Sequence, residues 1–143
     1  MSIIRMKAAD YDAIIAYAKE HLPEEACGLL AGELEDGNRV VKKVYFLENK
    51  DHATDHFTID PKQQLNCIKD IREHGMCLLG NWHSHPESPS RPSKEDIKLA
   101  YDKNSCYMIA SFLTGTPIMN AFHIENDSYQ KEDLRVYTEE YYF

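Results

Sequence analysis

The stretch Met76–Asp96, MCLLGNWHSHPESPSRPSKED, contains three signals for the fold in direct succession. Its first ten residues form a nearly continuous apolar run, which is typical of a central strand. A loop rich in proline and serine follows, and Pro92 and Ser93 then predict the start of a helix with the sequence SKEDIKLAYDK. This order places His83 and His85 at the end of the strand.

Two further helices are indicated upstream of this stretch. From Tyr11 to Ala18 apolar residues recur at helical spacing, and Pro23 closes that segment. The segment PKQQLNCIKDIREHG begins at Pro61, a residue favoured in the first turn of a helix, and ends at Gly75. Its apolar residues give one amphipathic face. We therefore expect two helices before the strand that carries the histidines, in addition to the one that follows it.

The other apolar segments predict strands. DHATDHFTID is expected to be a loop that passes into a short strand. ACGLLAGEL is a short apolar run and RVVKKVYFLEN is rich in β-branched and aromatic residues, so the two are expected to form a hairpin. Three further strand-like runs follow the third helix: CYMIASFL, PIMNAFHIE and YQKEDLRVY.

Helices interspersed among strands favour the α/β class over a helical bundle or a sandwich. A chain of 143 residues is also long enough to bury one sizeable core. We therefore predict a single domain over residues 1–143, with a mixed β-sheet of about six strands flanked by about three helices.

Composition excludes several classes of protein. The chain has a net charge of −8, which would repel a phosphate backbone, so nucleic acid is not an expected partner. No apolar run approaches the roughly 20 residues that span a bilayer, and the start MSIIRMKAADYD lacks the pattern of a signal peptide. We expect a cytoplasmic protein without a membrane partner.

The four cysteines do not suggest a zinc ribbon or a redox motif. They are far apart in sequence and form no C-x-x-C pair; they are Cys27, Cys67, Cys77 and Cys106. We expect reduced and mostly buried thiols.

The histidine pair has the spacing of a metal site. Side chains alternate between the two faces of a strand, so His83 and His85 project to the same side. Asp96 lies three residues after Ser93 on the same first helical turn, where its carboxylate can return toward the end of the strand. Two imidazoles and one carboxylate form a three-ligand zinc site with the fourth position open for a catalytic water. The sequence thus predicts one Zn²⁺ ion bound by His83, His85 and Asp96.

A catalytic zinc site also needs a base. Glu24 and Glu25 directly precede an apolar strand, and either could reach a water at the zinc site. A hydroxyl such as that of Ser93 could stabilise the oxyanion of a tetrahedral intermediate. This combination of residues points to amide hydrolysis.

These residues resemble the JAMM (MPN-plus) metallopeptidases. Their signature is an upstream glutamate, then His-x-His-Pro, seven residues, and Ser-x-x-Asp. The chain has Glu25-Ala26-Cys27-Gly28, then His83-Ser84-His85-Pro86, then Ser93-Lys94-Glu95-Asp96, with the spacing kept. The resemblance implies the MPN/JAMM fold, which has a cytidine-deaminase-like architecture. It also implies zinc ligation by His83, His85 and Asp96, general acid/base catalysis by Glu25 rather than Glu24, and help from Ser93 in holding the oxyanion.

The resemblance also suggests a substrate. Small stand-alone prokaryotic members of this family act on ubiquitin-like sulfur-carrier proteins, from which they remove a C-terminal cysteine or a short extension. Only Ile97 to Ser105 separate Asp96 from Cys106, which leaves no room for the additional zinc-bearing insertion of the polyubiquitin-cleaving members. We therefore expect an isopeptidase or amidase that acts on the C-terminal tail of a ubiquitin-like sulfur carrier or on another peptide tail.

Two other functions are weighed against this one. A non-catalytic MPN-type scaffold would bind partners through the same fold, but such relatives usually lack one or more of the ligands. Relatives associated with DNA repair are disfavoured by the acidic charge and by HSHPESPS, where those proteins usually carry a glycine after His-Pro.

Several residues also have a purely structural interpretation. Ser93 and Asp96 fit a capping box at a helix start, and Cys27 and Trp82 fit core positions, although Trp82 could instead line a substrate groove. His52 and His56 could suggest a second metal site, but an exposed polar loop is the safer interpretation. The aromatic tail YTEEYYF could dock onto the fold or form a self-association surface, so a homo-oligomer is possible.

Overall fold

The computed structural model describes residues 3–138, which form one mixed sheet with three helices. The elements follow in the order β1 (Ile3–Lys7), α1 (Ala8–Glu20), β2 (Cys27–Glu35), β3 (Asn38–Leu47), α2 (Pro61–Glu73), β4 (Cys77–His85), α3 (Lys94–Lys98), β5 (Cys106–Ser111), β6 (Ile118–Glu125), β7 (Ser128–Lys131) and β8 (Asp133–Tyr137). In this part of the chain no helix combines the length and the apolar character that a membrane span requires.

The sheet has eight strands in the order β7-β6-β5-β4-β2-β3-β1-β8. β4 and β5 are parallel neighbours, and β1 is parallel to both β3 and β8, whereas the other pairs are antiparallel. The two edge strands, β7 and β8, are consecutive in the chain and are joined by Glu132 alone. The sheet must therefore curl so that its two edges come together, and the Glu132 N–H donates to the Ala121 carbonyl on β6 at 2.8 Å.

The two faces of the sheet are covered by different helices. α1 packs its buried Ile14 and Ala18 on one face, against a core that includes Ile4, Met6 and Trp82. α2 covers the opposite face, where its Ile71 packs against a second cluster that contains Cys27, Leu29, Ala31, Tyr45 and Leu47. The short α3 covers the same face further along the sheet, through Ile97. The hydrophobic core is thus divided between the two sides of the sheet.

Trp82 is fully buried in the α1-side core, as the core interpretation predicted. Its indole N–H donates to the Tyr45 carbonyl oxygen on β3 at 3.1 Å, across the top of Gly28 on β2. A Cβ atom at Gly28 would lie 1.8 Å from that oxygen and 2.2 Å from the indole nitrogen. Only glycine therefore permits this contact, which explains the glycine in the Cys27-Gly28 pair in physical terms.

The prediction of an α/β fold with a mixed sheet and three helices is confirmed, but the strand count is eight rather than about six. β1 was missed because it has only five residues, although Ile4 and Met6 alternate inward. YQKEDLRVY is not one strand, since Glu132 divides it into β7 and β8. The prediction of a short strand within residues 51–60 is wrong, because backbone groups of that loop bond to the Asn49 side chain instead of to a neighbouring strand.

The third helix is shorter than expected. The sequence SKEDIKLAYDK predicted a helix through Lys103, whereas α3 ends at Lys98. Beyond it, Asp102 accepts hydrogen bonds from the Asn104 N–H and the Ser105 hydroxyl, and these local bonds compete with helix formation. The other two helices confirm the prediction, with Pro61 in the first turn of α2 and Asp60 as its N-cap.

Candidate metal centre

Three side chains converge at the ends of β4 and α3. The Nε2 atoms of His83 and His85 lie 3.1 Å apart, and each lies 3.1 Å from Oδ2 of Asp96. Both histidines are almost fully buried, and their alternation on β4 places them on the same face, as expected. Asp96 reaches them because α3 begins in the connection that leads from β4 to β5.

The triangle formed by these atoms fits a zinc ion. Ligand atoms about 2.0–2.1 Å from a tetrahedral zinc ion lie about 3.3 Å from one another, close to the observed separations. Two imidazole nitrogens and one carboxylate oxygen are donors that zinc accepts. Within residues 3–138, His83, His85 and Asp96 are the group of side chains whose ligand atoms lie close enough together to hold a metal ion.

Each of the three side chains is held from behind. The Nδ1 atom of His85 lies 2.8 Å from the Pro89 carbonyl oxygen, which requires a proton on Nδ1 and directs Nε2 into the triangle. His83 packs against Phe57, with ring centroids 4.9 Å apart. Asp96 is held by Ser93, which donates its backbone N–H to Asp96 Oδ2 at 2.9 Å. Hydrogen bonds therefore orient His85 and Asp96, whereas His83 is held by packing, since its Nδ1 has no hydrogen-bond partner within residues 3–138.

The charges at this centre follow from the same contacts. Burial alone would raise the pKa of Asp96, but hydrogen bonds to His83 and His85 and to the Ser93 backbone outweigh it and hold the pKa well below its usual range. Burial would lower the pKa of His85, yet its bonds to Asp96 and to the Pro89 carbonyl raise it. Asp96 is thus an anion that is ready to receive a cation.

Glu25 lies at the same end of the sheet, immediately before β2. The β2–β4 pairing joins Cys27 to His83, so Glu25 falls on the same face and opposite the His85 end of β4. Glu25 is 5% exposed, and its Oε1 atom is buried without a hydrogen-bond partner within residues 3–138. Burial raises the pKa of Glu25 to about 8; the charge of His85 lowers it and that of Asp96 raises it.

The structure separates Glu25 from Glu24. Glu24 is half-buried, and its Oε2 lies 3.3 Å from Nδ1 of the exposed His52. Glu25, by contrast, lies near enough to the triangle for His85 and Asp96 to affect its pKa.

Ser93 caps α3 in the manner of a capping box. Its Oγ accepts the Asp96 N–H at 3.0 Å, while the Asp96 carboxylate accepts the Ser93 N–H, as the structural interpretation of these two residues predicted. The hydroxyl proton is not used in this pair, so it can still be donated to a ligand. The capping function and a role at the centre are therefore compatible.

A cleft of about 220 Å³ adjoins the triangle, and His83 and Asp96 form part of its wall. Its other lining residues are mainly apolar or amide side chains; they include Phe57, Asn81, Leu99, Tyr107 and Ile124. A ligand in this cleft would therefore lie beside His83 and Asp96, two of the three residues of the triangle.

The H-x-x-x-H loop does not assemble a second triangle. His52 contacts Glu24 and Glu48, whereas His56 contacts Asp51 and Asp55, so the two histidines have different partners. The sequence did not indicate, however, that His56 also lines the cleft. It gave no role to Asn49, Phe57 or Pro89 either, because nothing in their local sequence indicates that they contact the site.

The four cysteines are free. Cys27 and Cys106 are buried as expected, but Cys67 is only half-buried and Cys77 is exposed on β4, so the prediction of mostly buried thiols holds for half of them. The tail residues from Glu139 onward, with most of the predicted aromatic surface, lie outside the described residues.

Residues 7–125 match the family described as prokaryotic homologs of the JAB domain, and the chain belongs to this family. The match includes all the residues of the centre. It also confirms the resemblance that the His-x-His-Pro and Ser-x-x-Asp signature indicated.

Two relatives and one solved structure illustrate the likeness. A protein of Haloferax volcanii named desampylase is 30% identical over 115 residues, covering 77% of this chain and 81% of the relative. The CysO-cysteine peptidase of Mycobacterium tuberculosis is 26% identical over 109 residues, covering 76% and 73%. The solution structure of a protein from Desulfitobacterium hafniense superposes with a TM-score of 0.87 at 38% identity, covering 98% of this chain and 96% of that one.

Proposed function

We propose that the protein is a zinc-dependent metallopeptidase or isopeptidase that hydrolyses an amide bond at the C-terminal tail of a ubiquitin-like sulfur-carrier protein. The observation that carries the proposal is the triangle of His83, His85 and Asp96 with the buried Glu25 carboxylate near it, whose Oε1 has no hydrogen-bond partner within residues 3–138. Three donors with room for a fourth ligand are typical of catalytic rather than structural zinc.

Zinc held by the three donors would act as a Lewis acid and would make water a stronger nucleophile near neutral pH. Glu25 would accept the proton that the attacking water loses and would then donate it to the leaving amine nitrogen. Its raised pKa, about 8, suits a group that must both accept and donate a proton near neutrality. Burial of the carboxylate keeps bulk water from competing for that proton.

Ser93 would stabilise the negative charge that develops on the carbonyl oxygen of the substrate. Its hydroxyl is fixed at the start of α3 by the bond from the Asp96 N–H, so the free proton can point outward to the oxyanion. A preorganised donor of this kind lowers the barrier because it need not reorient during the reaction.

The substrate class is supported by the relatives and by the cleft. The names of the two relatives describe a peptidase for a CysO-cysteine conjugate and a desampylase. The cleft beside the triangle is smaller than the roughly 300–1,000 Å³ of sites for drug-sized ligands, so it suits one residue of a threaded tail better than a folded surface. Residues 1–143 as one domain and a cytoplasmic location remain predictions from the sequence.

The experiment is intact-mass spectrometry of a ubiquitin-like sulfur carrier with a C-terminal cysteine or short extension. The carrier is incubated with the zinc-loaded protein and, separately, with Glu25→Gln. We expect loss of the extension with the wild type and not with the variant. If zinc is bound but no bond is cleaved, the substrate class is wrong; if the purified protein takes up no zinc, the non-catalytic scaffold becomes the better interpretation.

A further inference from the structure

Asn49 is a buried asparagine that follows β3, and its side chain is the centre of a hydrogen-bond network. It is 6% exposed. Its Nδ2 lies within hydrogen-bond distance of three carbonyl oxygens, those of Glu25 at 3.0 Å, Ala53 at 3.3 Å and His56 at 3.0 Å. Its Oδ1 accepts two backbone N–H groups, those of Asp51 at 3.3 Å and Thr58 at 3.1 Å. One side chain thus organises the loop of residues 50–58.

The same loop holds the backbone of Glu25 from both sides. The Glu25 N–H donates to the Ala53 carbonyl at 2.8 Å, and the Glu25 carbonyl accepts from Asn49. The regular pairing of β2 with β3 ends at Cys27 opposite Leu47. Cys27 lies two residues after Glu25, and Leu47 lies two residues before Asn49. The asparagine amide therefore replaces the backbone ladder at the point where the ladder stops.

The loop also forms one wall of the centre. Phe57 packs on the ring of His83, and His56 lines the cleft. The carbonyl of His56 is one of the three that Asn49 binds. A displacement of the Asn49 side chain would therefore disturb both the backbone of Glu25 and the wall of the cleft.

We propose that Asn49 is a positioning residue for Glu25: its amide fixes the Glu25 backbone and the 50–58 loop, and thereby aims the Glu25 carboxylate at the metal triangle. The proposal rests on the proposed function, because it assigns Glu25 the proton transfer. Asn49 makes no contact with the three donors of the triangle, so it acts on catalysis and not on metal binding.

Asn49→Asp tests the bonds that the amide nitrogen donates separately from those that the amide oxygen accepts. Asp has nearly the same shape, keeps an acceptor for the Asp51 and Thr58 N–H groups, and has no N–H to donate. Its second oxygen would face the carbonyl oxygens of Glu25, Ala53 and His56, which is repulsive. Asn104→Asp makes the same chemical change on an exposed turn and serves as the matched control.

Three readouts test the proposal on zinc-loaded protein. Asn49→Asp should bind the same amount of zinc as the wild type. Its Glu25 amide should exchange with deuterium at least tenfold faster, measured by mass spectrometry of the peptide that spans Glu25. With the carrier that the wild type cleaves as substrate, the kcat of Asn49→Asp should fall about 10²-fold, as expected for a misplaced catalytic group. Its KM should change less than its kcat. Asn104→Asp should match the wild type in all three.

A double-mutant cycle distinguishes positioning from general damage. If Asn49 acts through Glu25, Asn49→Asp should cause little further loss once Glu25 is glutamine. An equal loss in both backgrounds, a loss of zinc, or an unchanged kcat would overturn the proposal. If Asn49→Asp does not fold, Asn49→Ser, which leaves space for a bridging water, replaces it. If the wild type cleaves no carrier, the proposed function has failed, whereas deuterium exchange and zinc content still report whether Asn49 holds Glu25.

Discussion

Ser84 and Ala26 form two hydrogen bonds with each other where β2 and β4 meet. The Ser84 N–H donates to the Ala26 carbonyl at 2.9 Å, and the Ala26 N–H donates to the Ser84 hydroxyl at 2.8 Å. Ser84 is the middle residue of the His-x-His motif and points away from the metal triangle. Its bonds fix the backbone immediately before Cys27, and so bring Glu25 beside His85.

Ser84→Ala should therefore destabilise the protein. The Ala26 N–H would remain buried without its partner, which costs about 1–3 kcal/mol in the free energy of unfolding. Urea denaturation followed by circular dichroism measures the difference. Ser128→Ala, on an exposed strand, is the control and should change stability by less than about 0.5 kcal/mol. Equal effects of the two variants would contradict the structural role of the Ser84 hydroxyl.

Metal binding and proton transfer should be separable by substitution. His85→Ala and Asp96→Ala each remove a donor of the triangle and should lose stoichiometric zinc, measured by elemental analysis after dialysis. Glu25→Gln leaves the triangle intact and should keep zinc, while kcat falls by about 10²–10⁴-fold because the proton acceptor is gone. A chelator should abolish wild-type activity, and added zinc should restore it.

His123→Ala is the control for these substitutions, since His123 lies on β6 and its Nε2 lies 3.0 Å from Oε2 of Glu125. It should keep both zinc and activity. Zinc loss in Glu25→Gln would place that carboxylate among the metal ligands, and full activity in the same variant would remove Glu25 from proton transfer.

Ser93 should contribute to catalysis more than to stability. Ser93→Gly removes the hydroxyl. Glycine at an N-cap lowers the free energy of unfolding by only a few tenths of a kcal/mol. Loss of one oxyanion donor should lower kcat by about 10²–10³-fold. Ser93→Thr keeps a hydroxyl and should retain most of the activity. If Ser93→Gly turned over the carrier as fast as the wild type, Ser93 would be a helix cap only.

Local patterns were enough to predict most of the fold and the residues brought to the centre. The alternation of His83 and His85 on one strand and the three-residue spacing of Ser93 and Asp96 are fixed by backbone geometry, so they can be recognised without tertiary information. The same holds for α2, whose start is specified by Asp60 and Pro61. These signals are strong because each depends on neighbours within a few residues.

The contacts that orient the centre could not be predicted in this way. Asn49 binds Glu25 across 24 residues of sequence, and Phe57 packs on His83 only because the loop folds around that asparagine. The end of α3 was also misplaced, since bonds made by the Asp102 side chain compete with a sequence that otherwise favours helix. Such features depend on which distant groups meet, which local propensity does not contain.

Asp70 should make the stability of the protein depend on pH. It lies on α2, and its Oδ2 accepts from Lys43 Nζ at 2.8 Å and from the Tyr45 hydroxyl, both on β3. The hydrogen bonds from Lys43 and Tyr45 lower the pKa of Asp70 below its ordinary value. A carboxylate with a lowered pKa in the folded state stabilises the protein above its unfolded pKa of about 3.9. That contribution disappears as pH falls through the lower folded value.

Asp70→Asn should therefore be less stable than the wild type at pH 7, because the neutral amide loses the attraction to Lys43. The difference in the free energy of unfolding should be constant down to about pH 5, and it should shrink below about pH 4 as the wild-type carboxylate becomes protonated. Urea denaturation at intervals from pH 7 to pH 3 measures it. Asp12→Asn, at an exposed position on α1, is the control, and its difference from the wild type in the free energy of unfolding should not shrink in this way. A difference for Asp70→Asn that stayed the same at pH 3 would show that α2 is held to β3 by shape alone and not by the charge of this carboxylate.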